Sequence, residues 1–182
     1  MVYNAVRLFE EAMDHYLQEI FVREIRRQAQ FSLMALDEIH RALAENQTEK
    51  LWFSVQALLI AVGNVSKVLW PMEEVEERGR TLRHLLGLSK VSVLESRAFR
   101  NHFEHFDERL EAWATSSATR AFVDSNVGPP GCIGGIDASA YLRNFDNLNF
   151  AVTFGSDTYS LEPIARAIVE LRERADLILG TH

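Results

Sequence analysis

Apolar side chains recur at three- and four-residue intervals along most of this chain, and those intervals divide it into helices. Residues 3 to 44 read as helix. Phe9, Met13, Tyr16, Leu17 and Ile20 fall at helical spacing, followed by Phe31, Met34, Ile39 and Leu43. No Pro or Gly interrupts, so the pattern allows one long helix, or two that meet at a kink near Gln28-Ala29-Gln30. Asn46 to Thr48 is the first turn signal. The next helix spans 49 to 70 and ends before Pro71, because the residue preceding proline disfavours the helical region. Gly63 in its interior costs helicity and marks a place where helices could approach closely. Glu73, Glu74, Glu76 and Glu77 open a shorter helix, where negative charge suits the positive N-terminal dipole, and Gly87 caps its end. Ser92-Val93-Leu94-Glu95 has the capping-box pattern and predicts a helix reaching about Thr115. Phe99, Phe103, Phe106, Leu110 and Trp113 form its expected core face.

The texture changes after Ser116. Gly128-Pro129-Pro130-Gly131 and the glycines that follow are unsuited to regular structure. Phe145 to Phe154 alternates loosely, Gly155-Ser156-Asp157 signals a turn, and Thr158-Tyr159-Ser160 could pair back as a strand. Residues 161 to 179 read as a last amphipathic helix, with Leu161, Ile164, Ile168, Leu171, Ala175 and Ile178 on one stripe and Gly180 as its cap. The expectation is a single all-α domain over 1–182. It is an antiparallel bundle of five helices with a loop and small β-hairpin insert at 116–160.

With 182 residues the chain can bury a core without staples. Its net charge of -7 argues against broad, sequence-independent nucleic-acid binding. A local basic pocket is still compatible, since all but Lys50, Lys67 and Lys90 of the 19 basic residues are arginine, whose fork matches phosphate. Cys132 is the one cysteine, so no intrachain disulfide forms, which fits a reducing cytoplasm. The N-terminus lacks a signal-peptide pattern, and cytoplasmic localisation is expected. Leu51 to Trp70 is the most apolar window but holds Gln56, Asn64 and Lys67, so a buried helix is expected instead of a membrane span.

The densest chemistry lies in Arg97 to Arg109, which reads Arg-Ala-Phe-Arg-Asn-His-Phe-Glu-His-Phe-Asp-Glu-Arg. On a helix at roughly 100° per residue, Arg97, Asn101, Glu104 and Glu108 lie opposite the phenylalanine stripe. His105 lies beside Asn101, and Arg100 sits at the border between the faces. One reading is a solvated face, where i,i+4 ion pairs merely support the helix. The other is a site: an arginine, an amide and an imidazole held together could cleave RNA without a metal. Arg, four residues, then His also occurs at Arg97/His102, where Ala98 occupies the intervening polar position, so the spacing alone discriminates little.

Arg100-Asn101-His102-Phe103-Glu104-His105 resembles the signature of the HEPN superfamily, an Arg, a polar residue, three residues, then His. The longer string, with Ser66-Lys67-Val68-Leu69-Trp70-Pro71, is also similar to segments of bacterial helical proteins that carry no assigned activity. The HEPN resemblance implies a helical domain that dimerises so that two motif helices face one cleft. It implies a metal-independent endoribonuclease, related to toxin–antitoxin or defence systems, in which a ribose 2′-OH attacks the adjacent phosphate. Arg100, Asn101 and His105 would be its catalytic residues, with Arg97, His102 and Glu104 as secondary candidates. No cofactor and no metal are implied. The implied partners are a second copy of the chain, an RNA substrate and a small antitoxin-like protein. The rival expectation is a non-catalytic helical module for dimerisation or interaction; a nucleotide- or small-molecule-binding bundle is the third.

Other signals are weaker. His102 and His105 lack a third ligand on their face, and Asp37-Glu38-Ile39-His40 supplies no second Glu-x-x-His. Cys132 has no histidine near it in sequence and reads as an inert loop cysteine. The glycines spell neither a dinucleotide nor a phosphate-loop fingerprint. Trp52, Phe53, Trp70 and Trp113 are expected in the core or at an interface.

Overall fold

The computed structural model describes residues 14–88, 92–96, 105–116, 121–129, 131–137 and 140–180. Among them are five α-helices: α1 (His15–Ala44), α2 (Thr48–Leu69), α3 (Glu76–Leu85), α4 (Phe106–Ser116) and α5 (Leu161–Leu179). Short 3-10 turns, Glu73–Val75 and Val93–Glu95, flank α3 in sequence. Four strands follow α4: β1 (Asn126–Val127), β2 (Arg143–Asp146), β3 (Ala151–Phe154) and β4 (Asp157–Ser160).

Three long helices make the body, with α1 between α2 and α5. α1 is unbroken across Gln28-Ala29-Gln30, so of the two arrangements that the pattern allowed, the described residues from His15 onward form the single helix. Asp14 caps it, accepting a bond from the Tyr16 amide at 3.3 Å. Asn46 turns the chain with φ +56, a conformation asparagine tolerates. α2 then runs back antiparallel, fixed across the interface by the Lys50–Glu38 ion pair and the Asn64–Gln28 side-chain bond at 3.3 Å. α5 is also antiparallel to α1, with Asp176 near its end paired to Arg26 near the start of α1. α2 is long and apolar enough to cross a membrane by composition, but 61% of that stretch is buried in the fold.

The core stripe of α1 is Val22, Ile25, Ala29, Ser32, Leu36 and Ile39. This differs from the expected face: Phe31 and Met34 are exposed, as are Tyr16, Leu17 and Ile20. A helix gripped on two sides favours small residues at its contacts, so Ala29 and Ser32 take the inward positions that bulk alone would assign to Phe31 and Met34. The buried Ser32 hydroxyl donates to the Gln28 carbonyl at 2.9 Å and leaves no unpaired donor. α5 buries Leu161, Ile164, Ile168, Leu171 and Ala175 as its periodicity predicts; Ile178 is exposed. Each fully buried Leu or Ile here stabilises by about 1.5–3 kcal/mol.

At the far end of α2, Pro71 and α3 turn back tightly. A Cβ on Gly79 would stand 2.4 Å from Pro71 Cδ and 2.7 Å from the Leu69 carbonyl oxygen, so only glycine fits there. Gly87 ends the segment at φ +62, the cap its position predicts.

The fold is not all-α. The strands form one mixed sheet in the order β1-β2-β3-β4, where a hairpin alone was expected. β2, β3 and β4 are antiparallel, with Phe145 opposite Val152 and Val152 opposite Tyr159. β1 adds in parallel, Asn126 beside Asn144 and Val127 beside Phe145. Two physical causes explain the difference. Phe145 and Val152 are fully buried and join the helical core, so the sheet is a wall of the domain. The Asn126 amide donates to Asn144 at 2.6 Å, and Asn144 donates to the Gly128 carbonyl at 3.2 Å, which anchors the parallel strand. Gly155, at φ +58, takes the first central position of the β3–β4 turn. The Leu161 amide, bonded to the Phe150 carbonyl at 3.0 Å, ties the start of α5 to this sheet.

The helix expected from Ser92 to Thr115 is also corrected. Ser92 caps only a 3-10 turn, accepting from the Leu94 amide at 3.2 Å, and Ser96 is extended at ψ 121. Within the described residues helix resumes at Phe106.

Candidate functional site at the start of the fourth helix

Of the six residues singled out in the sequence, Arg97, Arg100, Asn101, His102 and Glu104 lie outside the described residues. So do Phe99 and Phe103 of the expected stripe. His105 is described. Its carbonyl accepts the first helical bond of α4, from the Arg109 amide at 3.1 Å, which puts it at the N-cap position. Its side chain is 58% exposed. Glu108 Oε1 lies 3.7 Å from His105 Nδ1, beyond hydrogen-bond distance, so the ring is not locked by that contact.

α4 was expected to bury one face, yet none of its residues is buried; Phe106 and Trp113 are half-buried and Leu110 is exposed. It is an outer helix held at two points. At its start, the Arg143 guanidinium lies 5.0 Å from the Phe106 ring and 5.7 Å from the Trp52 ring, while Arg143 Nε donates to Asp124 at 2.7 Å. Phe106 also meets Phe154 of β3 edge-on, with centroids 6.4 Å apart. Further along, Trp113 Nε1 donates to the Ala140 carbonyl at 3.0 Å and its ring contacts Phe122 at 4.7 Å. Cation–π and charge-assisted bonds at such half-buried places contribute about 1–2 kcal/mol each.

The helix orders its charges by side. Counting roughly 100° per residue, His105, Arg109, Ala112 and Ser116 fall within about 60° of one another. Asp107 and Glu111 fall on the far side by the same count. Asp107 and Glu108 occupy the first turn, where the helix dipole favours negative charge, so a structural cause accounts for them.

The His105 stripe leads into a groove of about 460 Å³ between α4 and the β3–β4 turn. Arg109, Trp113, Tyr141, Phe154, Ser156 and Asp157 line it. Arg109 is exposed and makes no ion pair among the described residues. Nearby, burial pushes the Tyr159 hydroxyl above the usual tyrosine range, with Asp157 adding to the shift and the Arg109 charge opposing it. Tyr141 is buried, and its hydroxyl has no hydrogen-bond partner among the described residues. Sequence reading missed Tyr141 and Arg143, which carry no local signal. Both are placed by long-range pairing, Tyr141 through its parallel bridge to Val123. Arg109 lay inside the reactive block, and its one-turn offset from His105 was readable.

The other expected chemistry is scattered. Cys132 is a free, exposed thiol 3.5 Å from the Asn126 amide nitrogen. His40 stacks on Phe150 at 4.7 Å as a packing contact. Trp52 and Trp70 are buried, whereas Phe53 is exposed. Comparison with models of protein families, with curated proteins and with solved structures gives no match for this chain.

Proposed function

We propose that this protein is a metal-independent endoribonuclease of the HEPN type, acting as a homodimer in the cytoplasm within a toxin or defence system. The observation that carries the reading is His105: an imidazole open to solvent at a helix start, with an arginine one turn along the same side. A histidine buried in a private ion-pair network could not serve as acid or base; this one is free to do so. The remainder of the site comes from the sequence motif.

In this reading one general base takes the proton from a ribose 2′-OH. The oxygen attacks the adjacent phosphorus, and the P–O5′ bond breaks as a general acid protonates the leaving oxygen. The products carry a 2′,3′-cyclic phosphate and a 5′-OH. His105 supplies one of the two proton transfers. Arg100 neutralises charge on the pentacoordinate phosphorus and Asn101 orients His105 or the phosphate. Arg97, His102 and Glu104 are neighbours that could tune these groups. A small basic antitoxin-like protein fits the acidic chain as its regulator.

Purified protein should cleave single-stranded RNA in EDTA, and His105→Ala should lower the rate by about 10²–10⁴-fold without loss of folding, as judged by circular dichroism. RNA left intact between about pH 5 and 9, the range over which a histidine changes charge, would remove the reading.

One observation favours the second reading, a helical interaction module. Phe31 and Met34 on α1 and Phe53 and Ile60 on α2 leave large apolar side chains in solvent, Phe53 at 73%. A chain that binds a protein partner and leaves every RNA intact would belong to that class.

A further inference from the structure

Four large apolar side chains stand in solvent on one side of the α1–α2 pair: Phe31 and Met34 on α1, Phe53 and Ile60 on α2. They are neighbours. The Asn64–Gln28 bond and the Lys50–Glu38 ion pair fix the register of the two antiparallel helices, and between those ties Phe31 lies level with Ile60 and Met34 level with Ala57. At roughly 100° per residue, all of them fall on the outward side of the pair. Monomeric proteins rarely leave so continuous an apolar surface uncovered.

The charges around the patch point to what covers it. Along the outer side of α1 the order is Glu24, Arg27, Phe31, Met34, Glu38, Arg41, with an Arg27–Glu24 pair at one end and an Arg41–Glu38 pair at the other. A second α1 laid antiparallel across the first sets Arg27 opposite Glu38, Glu24 opposite Arg41 and Phe31 opposite Met34. A parallel arrangement would set Arg27 on Arg27 and Glu38 on Glu38. The exposed stripe of α2 is Glu49, Phe53, Gln56, Ile60 and Lys67, at the spacing of a helix-packing seam, acidic at one end and basic at the other. Antiparallel pairing about a point near Leu58 sets Glu49 opposite Lys67. The two stripes agree: a two-fold axis between Ser32 and Leu33 on α1 falls near Leu58 on α2, through the register of the two side-chain ties. Lys67 also makes a contact within its own chain, and its ammonium has three donors. Two helices about 33 Å long and together about 20 Å wide present a face of about 650 Å², near the roughly 800 Å² per partner of a stable dimer.

We infer that this face binds a second copy of the chain, α1 against α1 and α2 against α2, antiparallel about one two-fold axis. It is an isologous interface, in which each contact occurs twice. It gives the homodimer proposed above its surface but rests on the apolar and charged pattern, not on ribonuclease activity. Arg143 links Trp52 to Phe106, on the edge of α2 away from α1. The antiparallel two-fold keeps that edge on the same side in both copies, so both α4 starts, with His105, lie on one side of the dimer.

Sedimentation equilibrium of the full chain should show a dimer with a Kd of about micromolar or below. Met34→Glu puts an unpaired carboxylate against Phe31 of the second copy, twice per dimer, and should weaken it about a hundredfold. Arg41→Glu sets like charges opposite Glu24 and should weaken it about tenfold; the E24R/R41E double variant restores opposite charges and should recover most of that loss. Met34 and Arg41 are exposed, so helix content by circular dichroism should be unchanged. A monomer at every concentration, whether or not it captures another protein, overturns the proposal, as does a dimer that no variant weakens. A dimer weakened by Arg41→Glu and not recovered in the double variant rejects the antiparallel pairing. A dimer with the expected responses that leaves RNA intact keeps the interface and removes the ribonuclease. RNA cleavage by a chain that stays monomeric does the reverse.

Discussion

Asp146 illustrates how one side chain can fix the turn between β2 and β3. It is buried at the end of β2, and the Asn149 side chain donates to it at 2.7 Å. The amides of Leu148 and Asn149 donate at 3.0 and 3.2 Å. These bonds, the Asn149 side chain first, hold its carboxyl below the usual aspartate range, against burial, which pushes it up. A depressed folded-state value means the stabilisation is fully present above the ordinary aspartate pKa of about 3.9 and is lost as pH falls through the lowered value. Asp146→Ala should therefore cost about 1–3 kcal/mol at neutral pH by urea unfolding. The gap to wild type should shrink as the pH drops below that range. A gap that widened in acid would refute the assignment. Local partners also matter for His105, whose exposed ring stands 3.7 Å from the Glu108 carboxylate.

At the scale of elements, α4 is the piece whose position matters most and whose packing is thinnest. Its first turn is clamped by Arg143, which touches Phe106, Trp52 and Asp124 together. Arg143→Lys keeps the charge but loses both the fork and the flat stacking surface. It should lower thermal stability by about 1–2 kcal/mol. It should also slow RNA cleavage, with α2 and α5 unchanged by hydrogen exchange. Cleavage at the wild-type rate would show that α4 needs no such clamp. The long helices were readable because each carries a signal within its own sequence: Pro71 for the end of α2, Gly180 for the end of α5, and the Leu161-to-Ala175 stripe. α4 was misread because Ser92 and Glu95 promise a helix start that the extended Ser96 cancels. The β1 strand was invisible because two residues have no periodicity, and their partner lies in β2, beyond the glycine loop. For the site, the sequence set His105 inside a helix expected from Ser92 to Thr115, whereas the structure puts it at the start of α4. Tyr141 and the groove depend on pairing between distant segments, which no local pattern encodes.

At the scale of the whole molecule, the net charge of -7 constrains how RNA can bind. A broad basic surface would give a steep salt dependence; a groove with one or two arginines would not. For two neutralised phosphates on a single strand, the slope of log K against log salt should be about -1.4. A slope steeper than about -4 would require many more phosphate contacts and would contradict the compact site. The three-helix body and its sheet wall then serve as the rigid support, with the outer helix α4 presenting the chemistry. The proposed chemistry is RNA cleavage through the ribose hydroxyl. The most direct measurement uses a single-stranded RNA and the same strand carrying one 2′-deoxy sugar at the mapped cleavage position, both in EDTA. The RNA should yield a 2′,3′-cyclic phosphate end, and the deoxy strand should stay intact at that position. Cleavage of the deoxy strand, or activity that needs added metal, would contradict it.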